Sequence, residues 1–194
     1  MTYQLIHANE VHPQPWRNGG GQTRELLTWP NAANWQLRIS RADITQDGPF
    51  SAFPGIQRWF AVLEGAGVVL HLPDAPSTLR AGDTPYAFDG GSAPGCTLID
   101  GPTQDLNLMV QHGKGTMLAV QATPWTADFQ MRCIYTVHRG CWSDGMQTVE
   151  LPAHSLLWMA QKSTAIRTSA WTFTANDGAA PHAFWIGFTP TEQP

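Results

Sequence analysis

Residues 15–26 read PWRNGGGQTREL and set an indole, two guanidinium groups, two carboxamides and a hydroxyl around three consecutive glycines. Ordering such a run is costly, because glycine loses more backbone freedom than any other residue. Two readings justify the cost. Glycine is demanded sterically at a β-bulge or corner, or it lets successive backbone N–H groups close on an anion. With Trp16, Asn18, Thr23 and Arg24 beside Gly19, Gly20 and Gly21, both readings stand. A nucleotide loop is disfavoured. The run fits neither G-x-x-x-x-G-K-[ST] nor G-x-G-x-x-G, and Pro30 interrupts the next segment too soon for a crossover helix.

Two further stretches carry related chemistry. Arg58 ends GPFSAFPGIQR and enters an apolar run. Pointed inward, its guanidinium needs a partner, and its planar fork matches a carboxylate in two parallel hydrogen bonds. Pointed outward, it is simply solvated, and alternation leaves both open. In DLNLM, Asp105, Asn107 and Met109 share one face, with Leu106 and Leu108 on the other. The polar face meets either solvent or a polar cavity, and Met109 suits a cavity better. Asn107 both donates and accepts, which suits an amide or formyl group. Asp105 can pair with Arg58 when no ligand is present, or recognise an amine. Phe88, Tyr86 and Trp59 read as core, with Phe88 as a candidate pocket wall.

Groups for other chemistries are scattered. None of the seven histidines forms His-x-His, His-x-x-x-His or His-Glu-x-x-His, so no metal site and no cofactor are expected. Ser51 lacks a Gly-x-Ser-x-Gly setting. Cys96, Cys133 and Cys141 are widely spaced and read as reduced, packed thiols.

Strands must position these groups. Eighteen glycines and fifteen prolines punctuate the 194 residues and leave little room for long helices. NWQLRISRADI alternates Trp35, Leu37 and Ile39 inward against Gln36, Arg38 and Ser40 outward. AFWIGF places Phe184, Ile186 and Phe188 on one side. RWFAVLEGAGVVLHL reads as two strands joined by a tight turn, with Gly65 and Gly67 supplying positive φ. Charged residues are only 13%, about half the usual share, and apolar residues are 42%, so much of the chain is expected to be buried. The net charge of −4 with no basic stripe argues against nucleic acid. No apolar run approaches the roughly 20 residues of a bilayer span, and the N-terminus lacks a signal-peptide pattern. A soluble cytoplasmic protein without a membrane partner is expected.

The halves echo each other. WFAVLEGAGVVL precedes LRAGDTPYAF, and IYTVHRGCWSDG precedes LPAHSLLWM, with Gly65 matching Gly140 and Ala81 matching Ala153. Two barrel-like units are the economical reading. The strand-turn-strand and AGD pattern resembles the cupin superfamily of small antiparallel jelly-roll barrels, with the metal-binding histidine positions empty. PWRNGGGQTREL, GPFSAFPGIQRWFAVLEGAG, YAFDG and DLNLM, in that order, resemble the HutD/Ves family more specifically. Arg17 stands where lysine is expected, and both are cations.

That resemblance implies an all-β, metal-free bicupin. The expected division is an N-terminal barrel at 1–113 and a C-terminal barrel at 114–194, approximate because terminal strands can be exchanged. It also implies a non-catalytic protein that binds a small carboxylate metabolite of histidine degradation, such as formylglutamate or urocanate. Such a protein would modulate histidine use or a stress response. Arg58 would clamp the acid, residues 18–21 would bind a second polar end, and Trp16, Thr23 and Asn107 would orient it. The alternative is a metal-free isomerase, epimerase or lyase using Asp105, Glu25 or Tyr86 as base. Homodimers through edge strands are compatible with either; the sequence shows no regulatory protein partner.

Overall fold

The computed structural model describes residues 2–160, 169–176, 178 and 180–191. Strand β1 is Gln4–His7. Then come β2 (Gln14–Pro15), β3 (Gly21–Trp29), β4 (Leu37–Ile44), β5 (Gly48–Pro49), β6 (Gln57–Glu64) and β7 (Val68–His71). They are followed by β8 (Pro76–Leu79), β9 (Tyr86–Asp89), β10 (Gly95–Leu98) and β11 (Thr103–Val110). The remainder is β12 (Gly113–Ala119), β13 (Met131–Thr136), β14 (Gly140–Ser143), β15 (Thr148–Leu151), β16 (Ser155–Ala160), β17 (Thr172–Ala175) and β18 (Ala183–Pro190). The described helical turns are two short 3-10 segments, Ala8–Glu10 and Gly90–Ser92. The fold is all-β, built from antiparallel sheets.

Two compact units result, Val11–His112 and a second made of Met1–Glu10 with Gly113–Pro194. β12 opens the longer stretch of the second unit at Gly113. The first ten residues cluster with the C-terminal stretch, because β1 pairs with β16 in register Gln4↔Trp158 to His7↔Ser155.

In Val11–His112 a six-stranded sheet runs β2-β3-β4-β11-β6-β9 and a four-stranded one β5-β10-β7-β8. Side chains from both meet in an apolar cluster that includes Ile44, Phe60, Val62, Val68, Leu70 and Phe88. Each such side chain contributes roughly 1.5–3 kcal/mol when fully buried. The turn between β6 and β7 carries the expected positive φ, +94° at Gly65 and +110° at Gly67. However, β6 and β7 do not pair. The turn passes the chain from one sheet to the other, so this is not a hairpin. Both glycines are also sterically required, since an added Cβ would collide with the backbone oxygens of Pro102 and Leu79 respectively.

The other unit has sheets β1-β16-β13-β18-β12 and β15-β14-β17, packed around Trp142, Trp171 and Trp185. Its pairing repeats that of Val11–His112. β6 lies between β11 and β9, as β13 lies between β18 and β16. β7 lies between β10 and β8, as β14 lies between β17 and β15. The turns entering β9 and β16 each hold a left-handed residue, Gly82 at φ +90° and His154 at +54°. β18 is buried on both faces from Ala183 to Phe188, so Trp185 is as enclosed as the Phe184, Ile186 and Phe188 side.

Candidate functional site

The register of the six-stranded sheet writes three rows of side chains on its inner face. One runs Arg38, Met109, Arg58, Phe88 across β4, β11, β6 and β9. The next runs Glu25, Ser40, Asn107, Phe60 from β3 to β6. The third holds Thr23, Ala42, Asp105 and Val62, with a bulge between Gln104 and Asp105. Strand alternation alone generates this polar face. Its backing is apolar, with Leu37, Ile39, Leu106 and Leu108 fully buried on the opposite side.

Arg58 is buried at 6% exposure and points inward. Its Nε and Nη2 both donate to Asn107 Oδ1, at 3.0 and 2.5 Å. The guanidinium carbon lies 4.4 Å from the Phe50 ring centroid and 5.3 Å from that of Phe88. These ring faces add cation–π attraction in a desolvated place. Among the described residues, Arg58 Nη1 and Asn107 Nδ2 make no hydrogen bond. Burial, and then the charge of Arg38, pull the Arg58 pKa down to about 9, still protonated at neutral pH.

These groups border a pocket of about 400 Å³, the size of a small-metabolite site. Three arginines line it, Arg17, Arg38 and Arg58, and among the described residues no Asp or Glu does. Ser40, Ser51 and Asn107 add hydroxyl and amide groups; Trp16, Phe50, Phe53 and Met109 supply the apolar wall. Trp16 is held by its Nε1, which donates to Thr23 Oγ1 at 2.7 Å. Arg38 Nε lies 3.1 Å from Glu25 Oε2, although its N–H is not aimed at an acceptor. A cavity of this composition suits an anion with an apolar or flat body.

Six residues singled out in the sequence therefore line one cavity: Trp16, Asn18, Thr23, Arg58, Asn107 and Met109. Phe88 sits behind Arg58 in the core. Asp105 is fully buried in the row of Ala42 and is not a lining residue. Gly19, Gly20 and Gly21 form the β2–β3 bend outside the lining. Gly19 N–H donates to Trp16 O and Gly20 N–H to Asn18 Oδ1, while Thr45 N–H donates to Gly20 O at 2.9 Å. These two amides are occupied inside the turn. Arg24 lies on the other face of β3, where Nη1 meets Asp43 Oδ2 at 2.5 Å. Tyr86 packs at the edge of the core, and Glu25 faces Arg38.

Arg38, Ser40, Phe50 and Phe53 line the pocket without having been singled out. The signal for the first two was present, because Arg38 and Ser40 occupy the polar side of β4. That side faces a cavity rather than bulk solvent. Among the described residues no group of three or more His, Cys, Asp or Glu could hold a metal ion. No described helix is long and apolar enough to cross a membrane.

The family model HutD matches residues 8–177. A Pseudomonas putida protein, described as an uncharacterized 21.2 kDa protein in the hutC 3′ region, is 37% identical over 108 residues. That alignment spans 55% of this chain and 57% of that protein's length. Protein Ves of Citrobacter koseri is 31% identical over 157 residues, covering 70% of this chain and 81% of the relative. The structure of HutD from Pseudomonas fluorescens SBW25, in a formate condition, superposes with a TM-score of 0.80 at 26% identity, covering 97% and 98% of the two chains. At 12% identity, the Escherichia coli pirin YhhW in complex with nickel(II) gives a TM-score of 0.62, a likeness of fold alone.

Proposed function

The chain belongs to the HutD family, and from that footing we propose that it is a non-catalytic binding protein for a small organic acid. The acid lies in the Val11–His112 pocket. Its carboxylate takes Arg58 Nη1 and Asn107 Nδ2, the two donors left open at the buried end. A second polar end reaches Arg38 and Arg17, and the body lies against Trp16, Phe50 and Phe53. Each unit is a cupin barrel, and the pair forms a bicupin. A formylated amino diacid and a flat unsaturated acid, formylglutamate and urocanate, are the candidates consistent with histidine use. The Pseudomonas putida relative in the hutC 3′ region motivates that choice. Binding controls histidine use to the extent that the loaded and empty forms differ in affinity for a partner.

The observation that carries this reading is a buried, half-satisfied guanidinium facing a cavity that, among the described residues, no Asp or Glu lines. Titration calorimetry and thermal shift with N-formyl-L-glutamate and urocanate test it. Wild type is expected to gain melting temperature with acid concentration. Arg58→Gln is expected to lose about 2 kcal/mol or more of binding. Absence of binding by either acid at millimolar concentration removes the reading. Conversion of either acid, seen by mass spectrometry, moves the function to the isomerase, epimerase or lyase alternative.

A further inference from the structure

Beneath the pocket lies an acid that the proposed binding mode does not use. Asp105 is 0% exposed and stands one row beyond Asn107 on β11, on the same face. Thr103 Oγ1 donates to its Oδ2 at 2.8 Å, and Oδ1 is buried with no hydrogen-bond partner. The described ion pairs are Arg24–Asp43 and Arg38–Glu25, so Asp105 and Arg58 make no direct contact. Asn107 occupies the fork of Arg58 instead. An ionised carboxylate in this position would leave one oxygen without water or donor, a costly state.

We propose that Asp105 is the proton partner of the pocket: it takes up a proton when a carboxylate seats on Arg58 and releases it when the acid leaves. This rests on the carboxylate-binding reading above. The physical basis is competition for one cation. While the pocket is empty, the charge of Arg58 favours the ionised form of Asp105. A bound acid neutralises that charge and brings its own negative charge into the same low-dielectric space. Both changes favour the neutral form.

The surroundings admit this role. The charges bearing on Asp105 are Arg58 from β6 and Asp43 from β4; Thr103 hydrogen-bonds it from its own strand. Burial is the largest influence and pushes Asp105 up to about 8, against the hydrogen bond from Thr103 and the charge of Arg58. Cys96, facing from β10, is itself pushed up to about 12, chiefly by burial, with Asp105 and Asp47 adding and Arg58 opposing. It stays a neutral thiol over the relevant range. Arg38 acts on Arg58 from β4. Asp105 is therefore the buried acid here that changes charge near neutrality.

N-formyl-L-glutamate is a suitable probe, since none of its groups titrates between pH 6 and 10. Its Kd for wild type is expected to be nearly flat from pH 6.5 to 7.5 and at least tenfold weaker at pH 9 than at pH 7, Asp105 contributing about a decade per pH unit above its empty-state pKa and Arg58, at about 9, a further factor of about two. Calorimetry at pH 9 in two buffers of different ionisation enthalpy should read uptake of more than one proton, nearly one of them on Asp105 and the rest on Arg58. Asp105→Asn should lose nearly one proton of that uptake and the decline that begins near pH 8, keeping only the smaller weakening that Arg58 gives near pH 9. Carboxyl ¹³C shifts of Asp-labelled wild type should follow Asp105 titrating near 8 when empty and higher when loaded, a readout that does not depend on the folding of the variant. A Kd profile that Asp105→Asn shares with wild type, or an Asp105 resonance titrating near 4 in both states, overturns the coupling while leaving the acid-binding reading intact. Absence of binding at every pH overturns both.

Discussion

Asn107 Oδ1 accepts from Nε and Nη2 of Arg58 at once, and this one contact fixes which edge of the guanidinium is left for the cavity. The geometry follows from register. Arg58 sits opposite Met109, and Asn107 opposite Phe60, so the two polar side chains meet diagonally across adjacent strands. Replacing Asn107 separates its two roles. Asn107→Leu leaves a buried cation without its acceptor and should cost about 3 kcal/mol in urea denaturation. Asn107→Asp keeps the acceptor and adds a charge. It should fold about as well at pH 7 but bind acids at least tenfold more weakly, because Arg58 is already neutralised.

Two arginines on neighbouring strands should behave oppositely. Arg24 and Arg38 both make ion pairs with carboxylates, yet Arg24 faces Asp43 away from the pocket and Arg38 borders it. Arg24→Gln is expected to leave acid affinity unchanged and to cost about 1 kcal/mol or less of stability, as partly exposed pairs do. Arg38→Gln should weaken binding severalfold with a similarly small effect on unfolding. Calorimetry and chemical denaturation on the two variants check the contrast, and equal losses of affinity would contradict it.

These two residues also show what a sequence can and cannot give. The alternation in NWQLRISRADI is written in the chain, and Leu37 and Ile39 are indeed fully buried. What alternation cannot give is the identity of the second face. Arg38 and Ser40 read as outward because polar faces usually meet water, whereas here the β5–β10–β7–β8 sheet stands over part of that face and leaves a cavity. Arg24 fails for a related reason. It is adjacent to Thr23 in sequence, and period two puts it on the opposite side of the strand. Gly65 and Gly67 were legible as positive-φ positions. Whether their turn closes a hairpin or changes sheet depends on the strands that each flank pairs with, and no local signal encodes that.

The triple-glycine bend should matter for folding more than for binding. A Cβ on Gly21 would collide with the backbone oxygen of Asp43, a contact that neither backbone can relieve cheaply. Gly21→Ala is therefore expected to destabilise by about 1–3 kcal/mol. Gly19 has φ +72° and open space, so Gly19→Ala should cost only about 1 kcal/mol through its left-handed backbone. Neither should change acid affinity more than about twofold once folded. A large loss of affinity in a well-folded Gly19→Ala would instead mean that the bend's amides contact the ligand.

Asp105 should leave a signature on stability in the absence of any ligand. Its pKa in the folded state is raised to about 8 from an ordinary value of 3.8. Between those values the folded state holds the proton and the unfolded state does not. Stability from this group is thus complete below about pH 4 and declines as pH rises towards 8, by at most about 1.4 kcal/mol per unit. Urea unfolding from pH 5 to 8 should show that downward slope in wild type, and a flatter one in Asp105→Asn. A wild-type slope that the variant retains would assign the pH dependence to other groups.

The repeat supplies an internal control for the pocket. Arg132 is the second residue of β13 as Arg58 is of β6, and it is equally buried. Its neighbours differ. Gly187 stands where Met109 does, and Trp185 where Asn107 does. Trp185 stacks on Trp125 at 5.4 Å, and Phe129 closes on Gly187 so tightly that a Cβ there would collide with its ring. The Arg132 fork is taken by Ser169, with Nη1 donating to its carbonyl at 2.6 Å and Nη2 to its hydroxyl at 3.0 Å. The Trp171 ring centroid lies 4.5 Å from the guanidinium carbon. The same strand position thus holds an arginine satisfied by its own chain in one unit and an arginine open to a cavity in the other. Arg132→Gln should cost about 2 kcal/mol or more of stability through its lost charged hydrogen bonds and ring contact. It should leave the affinity of the folded protein for N-formyl-L-glutamate within about twofold of wild type. Arg58→Gln should do the reverse, and a variant pair losing affinity equally would show that the two arginines do not divide the work in this way.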